Sequence, residues 1–332
     1  MSQIVLEGLD GSNPLGFMAA VGLLRLLHLQ SVDARLGFID AGVFTAWVES
    51  KLGLEEISKV VAEDATAAAG PQPWRLEYTK EEKRGLKTVA DLKAPPQEFS
   101  KFLDLAIDEW LVGRPQRAEY AACYGTDVAR DGKGNTKPTA FHFTAANQKF
   151  LDTVEDIRKS VTEAWVRASL QESGGEIRKG GNLRWSTDSD RNRALMGVNP
   201  EKEDTTVNGP LEWLAFRGLP VFTTVPVQGR VATCGFTGRR QDELCFNWPL
   251  WNLGSDYHTL RSLLASVAGW IDMETRMRHA AAKNPTHQTR LIQKRETIAR
   301  TRRARGIFAL CSSQIRRSAQ GFGNFGPAQI ID

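Results

Sequence analysis

Four cysteines in 332 residues, Cys123, Cys234, Cys245 and Cys311, lie far apart and form no CxxC pair. That spacing excludes a disulfide framework and a zinc site as organising devices. Long apolar runs are missing too. The most apolar stretch, Pro14 to Leu29, is too short to span a bilayer and carries Arg25 and His28. No basic region precedes it, so a secretory signal is not expected, and the expectation is a cytoplasmic protein with no membrane partner. There is no GxxxxGK[ST] loop to cradle a nucleoside triphosphate. The five histidines, His28, His142, His258, His279 and His287, never form an HExxH or join cysteines at metal-ligand spacing. Nothing in the sequence calls for a cofactor or a resident metal. With 25% charged and 41% hydrophobic residues, the chain is neither disordered, collagen-like nor membrane-embedded.

Net charge is also scarce, only +4, but its distribution is uneven. From residue 273 onward, 12 Lys or Arg face three acids, Glu274, Glu296 and Asp332, a net of +9. The first 272 residues hold 31 basic and 36 acidic side chains, a net of −5. A mildly acidic body thus carries a strongly basic C-terminal segment, an asymmetry that points to a polyanionic partner.

Local pattern predicts an α+β chain: a mixed body over residues 1–252 with small antiparallel sheets and helices, then a mostly helical basic segment with a Gly-rich tail over 253–332. Strands are expected near Gln3–Leu6, Arg35–Ile39, Trp74–Thr79, Thr139–Thr144, Asn182–Ser186 and Val221–Val225. A helix starting at Pro14 and capped by Ser12 or Asn13 is apolar on nearly every face, which predicts burial. Further helices are expected over Leu54–Ala69, Glu98–Val112, Ala145–Leu170 and Leu211–Phe216, the last closed by Gly218. Arg230–Phe236 and Glu243–Trp248 flank a hairpin turn with Arg239 and Arg240 at its tip. Beyond Trp251, helical spacing of Leu260, Leu263, Leu264, Val267, Trp270 and Ile271 follows a cap at Ser255 or Asp256. A break at Asn284-Pro285 precedes a second helix over Thr289–Arg305. Gly306–Ile315 suits a strand or a loop, and the tail is too rich in glycine for regular structure. Trp47, Trp110, Trp165, Trp213 and Trp270 fall within apolar patterns and are expected to be core; Trp248 and Trp251 are expected to be buried at the junction of body and helices.

On a helical wheel, Leu291, Ile292, Ile298 and Ala299 form an apolar stripe into which Arg295 and Arg302 intrude. Arg290, Lys294, Arg300, Arg303 and Arg305 occupy the other faces. A helix with cations all round repels itself, and Glu296 is almost the only nearby acid for i,i+4 pairing. The dominance of arginine suits bidentate phosphate grip. If about six of these side chains neutralise phosphates, affinity should fall with salt on a log–log slope of roughly −5. Other basic features extend the candidate surface: Arg130, Lys133 and Lys137 in one polar loop; Arg178, Lys179, Arg184, Arg191 and Arg193 around another; Arg239 and Arg240 at the hairpin tip; Arg316 and Arg317 before the tail. An acidic protein surface or plain solvation would also accommodate such charges. The one compact carboxylate pair, Asp188 and Asp190, suits a divalent-metal site for phosphodiester cleavage or, more simply, an Asx turn salted by Arg191.

Several segments together resemble one family. They are Leu6-Glu-Gly-Leu-Asp-Gly-Ser-Asn-Pro-Leu-Gly-Phe-Met-Ala-Ala-Val-Gly-Leu-Leu-Arg25, Phe143-Thr-Ala-Ala-Asn-Gln-Lys-Phe-Leu151, Leu183-Arg-Trp-Ser-Thr-Asp-Ser-Asp-Arg191, Leu214-Ala-Phe-Arg-Gly-Leu-Pro220 and Trp248-Pro-Leu-Trp251. In order and spacing they are similar to proteins encoded with type I-G (formerly I-U) CRISPR systems, assigned as the large-subunit type of the Cascade effector complex. The resemblance implies a non-catalytic subunit that helps recognise the protospacer-adjacent motif in double-stranded DNA, helps open the strands and recruits the nuclease-helicase. Its implied partners are the other Cascade subunits, guide RNA and target DNA, with the RNA reading sequence. The chain is short for a large subunit, and the resemblance transfers no individual DNA-reading residue.

Overall fold

A computed structural model of the chain describes residues 2–67, 72–82, 85–145, 148–187, 206–238, 240, 243–281, 285–318 and 321–331. The chain begins β1 (Ser2–Asp10), α1 (Pro14–Leu29), β2 (Ala34–Asp40), β3 (Phe44–Ser50), α2 (Leu54–Thr66), β4 (Glu77–Glu82), β5 (Gly85–Ala90) and α3 (Pro96–Leu111). It continues with α4 (Gln116–Tyr124), β6 (Gly125–Arg130), β7 (Thr136–Pro138), α5 (Phe150–Ser160), α6 (Glu163–Gln171), β8 (Arg178–Lys179), β9 (Thr206–Val207) and α7 (Gly209–Gly218). The last elements are β10 (Thr224–Val227), β11 (Arg230–Thr233), β12 (Phe236–Thr237), β13 (Cys245–Trp251), α8 (Tyr257–Ala281), α9 (Pro285–Ala304), β14 (Ile307–Arg317), β15 (Gly323–Phe325) and β16 (Gln329–Ile330). Every strand pairing among the described residues is antiparallel. The class is α+β with small sheets, as expected: one sheet ordered β1-β3-β2, one ordered β12-β13-β14-β15 with β16 also on β14, and two-stranded ribbons.

The centre is α1, whose residues Pro14 to Leu27 are all buried. Asn13 caps it, its side-chain oxygen accepting the Leu15 N–H at 3.0 Å, and Pro14 spends its missing donor where none is needed. α7 lies directly on α1. A Cβ at Gly22 would come within 1.7 Å of the Leu214 carbonyl oxygen, so glycine is required for the two backbones to touch. Buried Arg25 is held there by the Arg217 carbonyl at 3.0 Å and by the Glu119 carboxylate. Phe17 then joins the two larger sheets, packing on Phe38 at 5.9 Å and on Trp248 at 5.9 Å. The indoles of Trp248 and Trp251 are buried as expected and donate to the carbonyls of Gly11 (2.7 Å) and Leu36 (2.8 Å). Each large ring therefore fills space and satisfies its single donor.

Several local expectations need correction. Thr139–Thr144 is irregular, because Phe141, His142, Phe143 and Thr144 are all buried and the segment's backbone bonds go to Tyr124 and Gly323 instead of a ladder. Asn182–Ser186 is likewise no strand: Arg184 takes φ 65°, and the Leu183 N–H goes to the Glu212 carboxylate. The long helix expected over 145–170 is two, α5 and α6, separated where Thr162 caps Trp165. Arg230–Phe236 splits at Gly235 (φ 85°), β11 pairing back on β10 and β12 pairing forward on β13. Trp110 is 60% exposed, because the apolar face of α3 is wider than the body covers. β3 and α4 are elements that local pattern did not indicate.

The C-terminal region holds the largest difference. α8 follows the expected spacing, with Leu260, Leu263, Leu264 and Val267 buried and Asp256 accepting the Thr259 N–H at 2.7 Å. After α9, however, β14 runs back along β13 from Ile307 to Gln314, and the tail adds β15 and β16 to it. The sheet pairing thus crosses the boundary expected at residue 252, and α8–α9 is a helical hairpin set between two neighbouring strands. The Gly306 carbonyl accepts the Asn252 N–H at 3.0 Å and closes its base.

Candidate nucleic-acid interface

α9 buries a narrow face. Ile298 is 7% exposed, and Leu291, Lys294, Thr301 and Arg302 beside it are half-buried. Ile292, assigned to the stripe by the wheel, is instead 59% exposed, since α8 covers the side centred on Ile298. Arg302 intrudes into the covered face as expected, while Arg295 is exposed. Arg290, Arg295, Arg300 and Arg303 are spread round the exposed arc. Arg305 anchors the last turn, donating to Ser266 Oγ at 3.1 Å and lying 5.4 Å from the Trp270 ring centre. Arg303 reaches back to the Ala299 carbonyl. Arg290, Lys294 and Arg300 make no ion pair among the described residues. The helix therefore offers a convex, solvent-facing array of arginines, suited to phosphates and poorly suited to enclosing a small ligand.

The other predicted cations divide. Arg240 pairs with Glu243 at 3.8 Å on an exposed turn, and its neighbour Arg239 lies outside the described residues. Asp188, Asp190, Arg191 and Arg193 also lie outside them. Arg178 is spent locally, with two 2.9 Å hydrogen bonds to Glu176 and its guanidinium 4.2 Å from the Trp165 ring centre. Lys179 is exposed next to it on β8. Arg184, Arg316 and Arg317 gather at the far end of β14. Arg184 stacks 4.3 Å from the Phe322 ring centre in the β14–β15 turn, and Arg317 donates to the Gly321 carbonyl in the same turn. Eleven residues of β14 separate this end from α9, about 35 Å at the usual rise of ~3.3 Å per residue. The structure therefore builds two basic regions, not one.

No protein-family model matches this chain, and no curated protein does. Described parts of the five segments singled out by sequence meet in the core. Asn13 donates to Ser186 and Thr187, Gln148 to the Asn182 carbonyl at 3.0 Å, Trp248 to Gly11, and Gly22 meets Leu214. They belong to the scaffold, and two of them also bring Lys149 and Arg184 to the far end of β14.

At the far end of β14, sequence reading missed two cations, Lys93 and Lys149. Their hub is Asp91, 4% exposed, whose Oδ1 accepts the backbone N–H groups of Leu92 (2.9 Å) and Phe150 (3.3 Å) and meets His142 Nε2 at 3.3 Å. Lys149 Nζ stands 3.8 Å from Asp91 Oδ2. Desolvation opposes ionisation of Asp91, but the His142 hydrogen bond, Lys149 and the Phe150 N–H outweigh it and keep the carboxyl below its ordinary range. Burial pushes His142 below its ordinary value, so the ring is neutral at pH 7. Dehydration also lowers Lys93 and Arg317. Lys133 and Lys137 flank this end: the Thr136 N–H of their loop bonds the Ala94 carbonyl beside Lys93. Only the placement of Lys93, between fully buried Leu92 and Ala94, could have hinted at an unusual lysine. Among the described residues no group of three His, Cys, Asp or Glu side chains converges as a metal site, and no helix is long and apolar enough to cross a membrane.

Proposed function

We propose that this protein is a DNA-binding, non-catalytic subunit of an RNA-guided type I CRISPR surveillance complex, located in the cytoplasm, that helps recognise the protospacer-adjacent motif, holds separated strands and recruits the nuclease-helicase. The observation that carries the reading is α9, which spreads Arg290, Arg295, Arg300 and Arg303 round its exposed arc and carries Glu296 as its one acid. The family resemblance of the sequence segments supplies the guided complex. Sequence would be read by the guide RNA, with this chain contacting backbone and a few base pairs.

The test uses the assembled complex and the isolated full chain. Replacing Arg290, Arg295, Arg300 and Arg303 with glutamine should weaken duplex and single-strand binding without lowering the thermal midpoint. Unchanged affinity across several salt concentrations would remove nucleic acid as the partner and leave an acidic protein surface. Incubation with labelled DNA and Mg²⁺ or Mn²⁺ decides the enzymatic alternative: cleavage abolished by Asp188→Ala would replace the non-catalytic reading with a metal-dependent nuclease. Co-purification of sister subunits with an RNA of uniform length is the outcome expected of a guided complex.

A further inference from the structure

Alternation along β14 sets Ile307, Ala309, Cys311, Ser313 and Ile315 toward the core, all buried, while Ser312, Gln314 and Arg316 face away from it. By the same period of two, Arg317 continues the inward row. Its backbone is held in that strand, and its side chain is exposed at the end of the row. Arg317 finds the Gly321 carbonyl but makes no ion pair with a described residue.

Two further cations come to this place from distant parts of the sequence. The Lys93 backbone is pinned by buried neighbours on both sides and by the Tyr78 hydroxyl, which donates to its carbonyl at 3.0 Å. Lys149 caps no helix itself but is fixed at the start of α5 by its contact with Asp91. The segment 142–145 ties these parts together: His142 bonds Asp91, and the Phe143 carbonyl accepts the N–H of Gly323, the register partner of Arg317, at 3.0 Å. Lys93 accordingly feels Arg317 and Lys149 as neighbouring like charges. Two carboxylates face Lys93: Asp91 is already shared among His142, two backbone N–H groups and Lys149, and Asp131 accepts the Lys133 and Asn135 N–H groups of its own loop.

Three cations held together, two of them half-buried, with both neighbouring carboxylates already engaged, repel one another until an anion joins them. A phosphate group matches them: its oxygens take a bidentate arginine and two lysine point charges at once. We propose that Lys93, Lys149 and Arg317 form a phosphate-binding site at the end of the body remote from α9. It deepens the nucleic-acid reading and rests on it for the source of the phosphate, one phosphodiester of a bound strand. A strand seated at both places would span the length of β14.

The test is acetylation of the full wild-type chain with isotopic acetic anhydride, read residue by residue by mass spectrometry. The two probes are inorganic phosphate and a 20-nucleotide single strand. Lys93 and Lys149 should be protected at least threefold by either probe, while exposed Lys51 is unaffected by phosphate. The variant Lys149→Gln/Arg317→Gln should lose protection of Lys93 by phosphate and bind the oligonucleotide about tenfold more weakly, and Arg317→Lys should recover part of that loss. If the oligonucleotide binds through α9 and leaves both lysines as reactive as in the free protein, the site is refuted and the function stands. If phosphate protects them but no nucleic acid binds, the site stands as one for free phosphate and the function falls. No protection by either probe refutes the site outright.

Discussion

The two basic regions carry the same charge in opposite physical settings. On α9 the arginines stand on a convex surface, separated, hydrated and drawn from one contiguous stretch. At the far end of β14 the cations are fewer, and Lys93 and Lys149 among them are half-buried and fixed by buried neighbours. Exposed charges are screened by salt and attract any polyanion within about a Debye length, ~10 Å at 0.1 M. Dehydrated and positioned charges are screened far less and discriminate by geometry. The difference assigns capture to the helix and registration to the body.

The sharpest way to break that division is to compare salt dependence. Glutamine at Arg290, Arg295, Arg300 and Arg303 should reduce oligonucleotide affinity about a hundredfold at 0.1 M salt and make the log–log slope less negative by about 3, with stability unchanged. The Lys149→Gln/Arg317→Gln pair should shift the slope by only about 1 to 2, and its deficit should persist at 0.5 M salt, where α9 contributes little. Filter binding over a salt series measures both, and equal slopes would dissolve the distinction.

A smaller effect separates the site from its support. Asp91→Ala strands the Phe150 and Leu92 N–H groups and the His142 ring, which should lower unfolding free energy by about 1–3 kcal/mol in denaturant titrations. The same denaturant curves taken against pH address the scaffold. Burial raises the Glu212 carboxyl from 4.5 to about 8, against hydrogen bonds from the Leu183 and Trp185 backbones that pull the other way. The native state therefore keeps a proton that the unfolded chain has released, so stability falls as pH rises from about 4.5 to 8. Glu212→Gln should flatten that limb. His142 acts from the other side: its folded pKa lies below 6.5, so stability is lost as pH falls below that value. The smallest change expected is Trp110→Ser, within about 0.5 kcal/mol, because that indole is 60% exposed.

Much of the α+β body was legible because the signals are local. Pro14 to Leu29 is apolar on all sides and is buried on all sides; the cap at Asp256 and the spacing from Leu260 to Ile271 describe α8 directly. The segments that failed, 139–144 and 182–186, have strand-like composition but make their bonds to partners far away in the chain, such as Gly323 and Glu212, which no window contains. The same reason divides the candidate site. α9 announces itself as a run of arginines, and Arg317 stands out with Arg316 before the tail, whereas Lys93 and Lys149 each look like an ordinary surface residue until β14 and the 142–145 segment bring them near it. The helices of the C-terminal segment were legible, and Gly306–Ile315 suited a strand or a loop, but a strand's partner is not written next to it: β14 returns to β13 across the whole length of α8–α9.

That return has a consequence for how such a protein diversifies. Since a single backbone hydrogen bond between Asn252 and Gly306 closes the base of the α8–α9 hairpin, the sheet on either side keeps its register whatever the hairpin's length. Lineages are free to extend, recharge or shed the hairpin as a cassette, at a cost confined to the apolar face of α8, while the scaffold beneath stays under separate selection. Variation should therefore concentrate between residues 257 and 304, and a tight turn grafted from Asn252 to Gly306 marks the place where an engineer would cut.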